Sequence, residues 1–506
     1  MGIFSKKPDH PLADLKSAQD LLGGLPKSDA LAVLHEVTTW LESVREQNEF
    51  RLDHQFAVTR LLDEVARSSE RKLARDLYAA TPLSTFQENR VWMALDTFYA
   101  QLALADTHIL ERYRNGDKGA ATIKPFLPLL GARGILAVAC ALKCKAARYA
   151  LAGPELWRSL STFYTHAEEN NYLDDKAVLY AGQATQGSVR CGFAAVLAWH
   201  ASSFGILARA QVHLAERLST HLCRYLSVTA QRADASLYCF DLQNPAPPQR
   251  ASAEAAVCQS MRYIGVQDVH GPLDLLLKTL HKNVVPEELN LGVACEAEAV
   301  QEVVRHLAAS WATTPPVRRN ARHSIKARLN VVSGFPGILE QSDIGLNFGD
   351  SASVMWEIAD ISSGSFRSVL PAAQVGGIKI GLLLGVKPEK MDGWGVGVVR
   401  RLSRDAHNNL QVGVQMLTNQ MAGVALREQG VDGERPALWL DSSATETGEA
   451  RLLIGPDTFS GSRNLHMHLG DKNYLLMPLK LEERGDDYEL MRYRKMEEDS
   501  GTDESY

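Results

Sequence analysis

Three arginines follow a proline-rich segment past the middle of the chain and are the first residues whose types suggest chemistry. Arg318, Arg319 and Arg322 come shortly after Pro315 and Pro316. An arginine side chain is a planar fork of permanent positive charge. It can clamp a phosphate, bind the O6 and N7 edge of guanine, or stack on a purine face. The three side chains therefore predict a site for a flat, anionic ligand.

A polar turn later in the chain supplies groups that complement such a ligand. The turn runs from Asp360 to Ser365 and follows a predicted strand. Ionised Asp360 is a pure hydrogen-bond acceptor, which suits the N1–H and N2–H₂ donors of guanine. Ser362 can orient that carboxylate or donate a hydrogen bond, and Gly364 allows a backbone to approach a flat ligand closely.

Both elements also have structural explanations that involve no ligand. Arginines beside prolines are often a solvated surface, and an Asp-x-Ser turn often makes only a local bond between side chain and backbone. The arginines precede the turn in the chain, and this order favours a binding site. Two interpretations therefore remain, a ligand-binding site and a solvated surface.

The arginines after a linker, followed by the Asp-x-Ser turn, resemble the signature of the PilZ domain. Arg318 and Arg322 match its Arg-x-x-x-Arg element, and Asp360 and Ser362 match the start of its Asp-x-Ser-x-x-Gly element. The resemblance implies a six-stranded antiparallel barrel that binds the bacterial second messenger cyclic di-GMP. These four residues, together with Arg319, Gly364 and Ser365, would then contact the ligand.

The end of the turn departs from the family pattern. The resemblance implies glycine where this chain has Ser365, and Gly364 stands one residue earlier. If the backbone has a positive φ there, serine is strained by roughly 1 kcal/mol or more. The resemblance also implies an alternative, because some members of the family have lost the messenger site and serve only as interaction modules.

Alternating apolar residues predict the β-structure that would carry this turn. A period of two indicates half-buried strands, and turns rich in Gly, Pro, Asn and Asp separate the runs. The pattern occurs between residues 311 and 420, which indicates a small antiparallel barrel or sandwich, and it returns after Pro436. The runs in the first region are Val354, Trp356 and Ile358, then Ile378, Ile380, Leu382 and Leu384, then Leu410, Val412, Val414 and Met416.

Helical patterns dominate the chain before this β-region. Asp29 is a predicted N-cap, Gly116 a stop signal and Pro154 a favoured first residue. The stretch Ile135–Leu142 is apolar on every face, so we expect it to be buried. Only Ser236–Leu242 has the character of a strand.

The predicted fold class is therefore a multidomain α+β protein. An all-helical N-terminal domain occupies residues 1–311, and a PilZ-like antiparallel β-barrel occupies residues 312–420. A second β-rich segment, or an extension of the barrel, occupies residues 421–495. The end of the chain, 496–506, is acidic and rich in Ser and Gly, which predicts a disordered tail.

Composition and net charge indicate which classes of partner, such as nucleic acid or membrane, the chain is not expected to bind. The chain of 506 residues has a net charge of −6, which argues against a general nucleic-acid or membrane coat and predicts no DNA partner. No apolar run reaches membrane-spanning length without interruption, so we expect no membrane insertion. The seven cysteines form no paired Cys-x-x-Cys framework, which favours a reduced, cytoplasmic compartment.

Other groups that could do chemistry have simpler explanations. Cys140 and Cys144 lie one helical turn apart in an apolar stretch, which is typical of a core. His466 and His468 would share one strand face, which could bind a metal but is equally typical of an exposed polar face. The sequence contains no Walker loop, Rossmann fingerprint or nucleophile elbow, so we predict no catalytic residue, cofactor or metal.

The functional prediction is a bacterial cytosolic receptor for cyclic di-GMP. Binding would order the arginine segment and be relayed to the helical domain, which would be a scaffold or an output surface for a protein partner. The first alternative is a barrel that binds no nucleotide and serves only for protein contacts. The second is an enzyme with its active site in the helical domain, although the sequence assembles no acid, base and nucleophile there.

Overall fold

Two units make up the chain in a computed structural model, Met1–Pro316 and Val317–Tyr506. The residues that the structure describes are 9–79, 83–182, 186–234, 236–252, 258–314, 321–342, 353–371, 376–428, 433–440, 448–458, 463–469 and 472–498.

The first unit is built mainly from helices. Its described residues form eleven α-helices and several short 3₁₀ turns. The α-helices are α1 (Leu15–Gly23), α2 (Ala30–Glu46), α3 (Leu52–Tyr78), α4 (Thr85–Arg114), α5 (Ala120–Ile123), α6 (Leu127–Ala146), α7 (Pro154–Glu169), α8 (Val189–His200), α9 (Arg209–Leu222), α10 (His270–Leu280) and α11 (Ala297–Ser310).

Local sequence signals place the ends of these helices. The Asp29 carboxylate accepts a hydrogen bond from the Ala32 amide at 3.0 Å, which confirms the predicted N-cap of α2. Helix α4 ends before Asn115, and Gly116 follows with a φ of 74°, in the left-handed region that favours glycine. Pro154 is the first residue of α7, as predicted.

Helix α6 lies at the centre of the core of this unit. Its apolar stretch Ile135–Leu142 is buried except at Leu136, as predicted. A Cβ at Gly134 would overlap the ring of Phe163, so glycine lets α6 and α7 approach closely. The segment Ala120–Ala146 is long and apolar enough to cross a membrane, but 72% of its most apolar window is buried inside the unit, as in the core helix of a soluble protein.

Buried ion pairs join α6 to two neighbouring helices. Arg133 Nη1 lies 3.2 Å from Asp63 Oδ2 of α3, and the Arg133 guanidinium lies 4.4 Å from the centre of the Tyr180 ring. Lys143 Nζ lies 2.7 Å from Glu216 Oε2 of α9. Because an unpaired buried charge is costly, these pairs favour one arrangement of the three helices.

A small antiparallel sheet in the same unit corrects the prediction of an all-helical domain. Its two longer strands bury successive residues instead of alternate ones, so they show no period of two, and only one of them falls in the stretch that had the character of a strand. The strands of this unit are β1 (Ala177–Val178), β2 (Gln186–Gly187), β3 (Ser227–Thr229), β4 (Ser236–Asp241), β5 (Gln249–Arg250) and β6 (Met261–Gly265). Strands β1 and β2 form a ribbon, and the other four form a sheet in the order β3-β6-β4-β5.

Cys191 and Cys223 form a disulfide in this unit, with their Cα atoms 5.2 Å apart. Cys191 lies in the first turn of α8, and Cys223 directly follows α9. The two cysteines are 32 positions apart, a spacing that matches no recognisable motif, so the sequence did not reveal the pair. Disulfides are rare in reduced compartments, so this pair does not agree with the reduced compartment that the cysteine pattern favoured.

The second unit consists of two closed antiparallel barrels of six strands each. The strands of the first barrel are β7 (His323–Ser333), β8 (Val354–Ser362), β9 (Ser365–Leu370), β10 (Leu383–Pro388), β11 (Gly395–Arg404) and β12 (Leu410–Thr418). The strands of the second barrel are β13 (Met421–Glu428), β14 (Glu434–Leu440), β15 (Glu449–Ile454), β16 (Leu465–Leu469), β17 (Lys472–Arg484) and β18 (Glu489–Glu498).

Both barrels have the same topology. The neighbours run β7-β8-β9-β12-β11-β10 in the first and β13-β14-β15-β18-β17-β16 in the second. In each barrel the first three strands are consecutive neighbours, and the last three follow in reverse order. Closure pairs every strand on both sides, so neither barrel has an open sheet edge.

The two barrels share a hydrophobic core. Val332 from the first barrel and Leu438 from the second belong to one cluster of buried apolar side chains. A short helix, α12 (Phe335–Glu340), lies between β7 and β8 in the chain, and its Phe335 amide donates a hydrogen bond to Asp487 at 2.7 Å. Asp487 belongs to the turn between β17 and β18, so this contact also joins the barrels.

Helical structure before the prolines and β-structure after them confirm the predicted fold class. The second β-rich segment is a complete barrel that runs from Met421 to Glu498. Strand β18 therefore includes the first three residues of the predicted disordered tail, 496–506, and corrects that boundary. The rest of the tail lies outside the described residues.

Candidate functional site

The hairpin of β8 and β9 positions the polar turn. Ser362 pairs with Ser365 across the hairpin, so Ser363 and Gly364 form its two-residue loop. Ser362 Oγ lies 2.7 Å from Ser365 Oγ, and the Gly364 carbonyl accepts a hydrogen bond from the Met416 amide on β12 at 3.0 Å. The turn is therefore held by a contact within the hairpin and by a second contact with β12.

A bulge in this hairpin sets the position of Asp360. Strict alternation would place Asp360 on the same face as Trp356 and Ile358, which are buried in the barrel. Counting outward from the two-residue loop places Asp360 opposite Arg367, and the pairing of β8 with β9 then shifts, so that Ile358 stands opposite Ser368. Redirecting a side chain in this way is a common use of a bulge.

The Asp360 carboxylate contacts two arginines. Arg367 Nε lies 2.6 Å from Asp360 Oδ2, and Arg322 Nη1 lies 3.1 Å from Asp360 Oδ1. Arg367 Nη1 also donates to Gln411 Oε1 on β12 at 3.1 Å. The Asp360 side chain is 12% exposed, whereas those of Arg322 and Arg367 are 35% and 36% exposed. Solvent therefore reaches the arginines more readily than the carboxylate.

The structure brings together some of the predicted site residues but not all of them. Arg322 and Asp360, from the two separate sequence elements, are in contact. Ser362 hydrogen-bonds Ser365 rather than Asp360. The remaining predicted arginines, Arg318 and Arg319, lie outside the described residues.

Ser365 does not have the strain that its departure from glycine suggested. It is the first residue of β9, and its φ is not positive. Gly364 has no positive φ either, and a Cβ built there would meet no heavy atom within 4 Å. The cost of roughly 1 kcal/mol that a left-handed serine would carry is therefore absent.

Arg367 is the site residue that the sequence prediction missed. A signal for it was present, because a two-residue loop at Ser363 and Gly364 pairs Asp360 with Arg367 by counting outward along both strands. An arginine directly opposite an aspartate is a stabilising cross-strand pair. The prediction took its ligand-binding arginines only from the segment before the first strand and so passed over Arg367.

Titratable groups also converge in the helical unit, but they are paired with one another. Asp63, Arg67, Glu70, Tyr99 and Tyr180 surround an enclosed cavity of about 10 Å³. Arg67 lies 2.8 Å from Glu70, Tyr180 donates to Asp63 at 3.1 Å, and Tyr99 donates to Glu70. A cavity of this volume holds about one water molecule, so the cluster cannot admit a substrate.

The described residues contain no group of three or more His, Cys, Asp or Glu side chains placed to hold a metal ion. His466 Nδ1 lies 3.1 Å from Glu498, and His468 hydrogen-bonds an asparagine. Cys140 and Cys144 are buried, and burial raises the pKa of the Cys140 thiol to about 11. These two cysteines are core residues, as predicted.

Comparison with known families bears on the helical unit. Residues 16–233 match the model of a family described as the N-terminal domain of the cyclic-di-GMP receptor FimW. The match covers about two fifths of the chain and ends before either barrel, so the similarity concerns the helical unit alone. No curated protein matches the chain.

This match supports a receptor for cyclic di-GMP. The matched family is a family of receptors, which are binding proteins and not enzymes. For the helical domain the match therefore favours ligand binding over an active site. The ligand that the match indicates is also the one that the barrel signature implies.

Proposed function

We propose that the chain is a cytoplasmic bacterial receptor that binds cyclic di-GMP on its first barrel, which in this proposal is a PilZ domain. The observation that carries the proposal is the contact of Arg322 with Asp360 beside the β8–β9 hairpin. Two sequence elements that separately suit a guanine nucleotide therefore meet at one place. The match of the helical unit to a receptor family supports the same ligand.

The chemistry of the ligand fits the residues at this place. Guanine presents N1–H and N2–H₂ as adjacent donors, and the Asp360 carboxylate accepts from such a pair. The arginines would neutralise the phosphates or bind the O6 and N7 edge. The proposed ligand-binding residues are Arg318, Arg319, Arg322, Asp360, Ser362, Gly364 and Ser365.

Local charge rather than the charge of the whole chain would attract this ligand. The chain has a net charge of −6, and each phosphate of the messenger is negative. Arg322 and Arg367 place two positive charges against the single negative charge of Asp360. This local excess of positive charge favours a phosphate nearby.

Relay of the signal would begin at the arginine segment. The chain passes from the first unit to the second at Pro316 and Val317, directly before the arginines. A ligand that orders this segment would therefore act on the connection between the units. In this proposal the helical unit is the output surface for a protein partner, and the protein requires no DNA, membrane insertion, metal or cofactor.

A second candidate function is a protein-contact module that binds no nucleotide. The observation that favours it is that both oxygens of the Asp360 carboxylate already contact arginines. The departure from the family pattern at Ser365 favours it as well. In that case the arginine contacts would serve only the stability of the barrel.

Calorimetric titration of the full-length chain with cyclic di-GMP separates the two candidates. We expect saturable binding, and Arg318→Ala or Arg322→Ala should each weaken it by about 1.5–3 kcal/mol, the loss of a charge-assisted hydrogen bond. Arg328→Ala is a matched control, because Arg328 is an exposed arginine on β7 whose partner is Glu357 at 3.9 Å. No binding by the wild type, or unchanged affinity in the Arg318/Arg322 double variant, contradicts the proposed site.

A further inference from the structure

Asp360 holds its two arginine partners in unequal ways. Arg367 belongs to β9, stands directly opposite Asp360 in the register and is also bound by Gln411 on β12. Arg322 precedes the first residue of β7 and reaches the carboxylate through Nη1, at 3.1 Å. Side chains on both neighbouring strands, β8 and β12, therefore hold Arg367 in place. Arg322 is held less firmly.

The group that Arg322 presents resembles the edge of guanine that Asp360 would recognise. A guanidinium is planar and carries N–H donors in a fork, and guanine carries N1–H and N2–H₂ side by side in one plane. Both can donate to the same oxygen of a carboxylate. Arg322 at Asp360 Oδ1 therefore occupies an acceptor position that a guanine edge would use.

We propose that the Arg322–Asp360 ion pair is an internal substitute for the guanine edge, which the ligand displaces. We further propose that Arg367 is the positioning residue that keeps Asp360 oriented during this exchange. This inference rests on the proposed function, since it assumes that guanine binds Asp360. It assigns different roles to two arginines that contact the same carboxylate.

The strength of each contact agrees with these roles. The side chains of Arg322 and Arg367 are about equally exposed, 35% and 36%, so the difference between the two contacts lies in their geometry. An ion pair open to solvent is weak, so a ligand with two good donors can replace the longer contact, that of Arg322 at 3.1 Å. The displaced guanidinium would then be available to a phosphate of the same ligand. The Arg367 contact is shorter, 2.6 Å, and the additional hydrogen bond to Gln411 restricts its geometry.

Selectivity for the guanine base tests the role of Arg367. Affinities are measured by calorimetry on the full-length chain for cyclic di-GMP and for cyclic di-IMP, in which hypoxanthine lacks the N2 amino group. We expect the wild type to prefer cyclic di-GMP by about tenfold or more, the loss of one hydrogen bond to a charged group. Arg367→Gln should bring this ratio close to one, because Asp360 is no longer held toward the base.

Two further variants keep this test decisive. Arg328→Gln removes the same charge from an exposed position on β7 and should leave the ratio unchanged. If Arg367→Gln fails to fold, Gln411→Ala removes the second contact of Arg367 and should lower the ratio in the same direction. A purely structural role for Arg367 would weaken both ligands equally and preserve the ratio, which would overturn the inference while leaving the receptor function intact. Absence of binding by the wild type would instead refute the proposed function, and this inference with it.

The Arg322 ion pair can be tested without a ligand. Phenylglyoxal modifies exposed guanidinium groups, and peptide mass spectrometry gives the rate for each arginine. We expect Asp360→Asn to increase the rate at Arg322 several-fold, with the rate at Arg328 in the same sample as the internal control. An unchanged ratio of the Arg322 rate to the Arg328 rate would mean that Asp360 does not hold Arg322, and would overturn this part of the inference.

Discussion

Arg400 on β11 of the first barrel and Glu483 on β17 of the second form a bidentate ion pair, with 2.6 Å between Arg400 Nη1 and Glu483 Oε1. Tyr488 donates its hydroxyl to the same carboxylate at 2.8 Å. Burial would raise the pKa of Glu483, but hydrogen bonds from Arg400 and Tyr488 outweigh it and lower the pKa. The two barrels therefore share a charged contact in addition to their common apolar core.

Loss of this ion pair should weaken the second unit. We expect Glu483→Gln to lower the free energy of unfolding by about 1–2 kcal/mol, a value discounted for solvent screening because Arg400 is 37% exposed. Urea unfolding followed by tryptophan fluorescence measures it. Asp486→Asn is the control, since its pair with Lys379 is far more exposed and should change stability by less than about 0.5 kcal/mol. Equal effects of the two substitutions would contradict a special role for Glu483.

The β8–β9 turn should tolerate Gly364→Ala but not gain from Ser365→Gly. No atom lies within 4 Å of a Cβ at Gly364, and its φ is not positive, so alanine should leave the melting temperature unchanged. Ser365→Gly removes the hydrogen bond to Ser362 and adds strand flexibility, which should cost about 0.5–1 kcal/mol. Thermal unfolding of both variants checks this, and a more stable Ser365→Gly protein would mean that the serine is strained after all.

Stability of the helical unit should fall in mild acid because of His213. Burial and the nearby Lys143 lower the pKa of His213 to about 3, and its Nδ1 is buried without a hydrogen-bond partner. As the pH falls through 6.5, His213 takes up a proton in the unfolded chain but not in the folded one. The free energy of unfolding is therefore at its full value above pH 6.5 and decreases as the pH falls toward 3. At pH 4.5 the expected loss from this residue is about 2–3 kcal/mol.

Urea unfolding at pH 7 and pH 4.5, followed by circular dichroism at 222 nm, measures this loss. His213→Gln should reduce the difference between the two pH values by about 2 kcal/mol, because glutamine does not titrate in this range. His281 is an exposed histidine at the end of α10, so His281→Gln provides the matched control. If both variants keep the full pH dependence, another group is responsible.

The disulfide between Cys191 and Cys223 should be detectable by alkylation and should stabilise the first unit. Under denaturing conditions without reductant we expect five cysteines to react, and all seven after reduction. A loop of this length predicts that reduction lowers stability by about 3–4 kcal/mol in the chain-entropy model. Cys191→Ser should abolish this sensitivity to reductant. Reaction of all seven cysteines before reduction would show that the bond does not form in solution.

Part of the candidate site could be predicted from residue type and spacing. Arg322 and Asp360 were expected to lie together, because each separately suits one part of the same ligand, and they are in contact. The partner Arg367 was missed although hairpin counting identifies it. The conformation of Ser365 was predicted from the family pattern alone, and the strand register gives it an ordinary extended backbone instead.

The sequence by itself determined the features that depend on residues a few positions apart. The N-cap at Asp29, the stop at Gly116, the buried face of α6 and the change from a helical to an alternating period all arise from short-range geometry. The fold class follows from these local preferences, because a helical or alternating pattern specifies which kind of element can bury its apolar side chains.

Only the tertiary structure decided the features that join distant parts of the chain. The closure of two barrels with one topology, the disulfide between α8 and the end of α9, and the shared core of the barrels depend on such contacts. So does the bulge between Ile358 and Asp360, which changes the register of β8 against β9 beyond the Asp360–Arg367 pair. Periodicity carries no information about which strand lies beside which, because many pairings bury the same apolar face, and the packing of the whole unit selects among them.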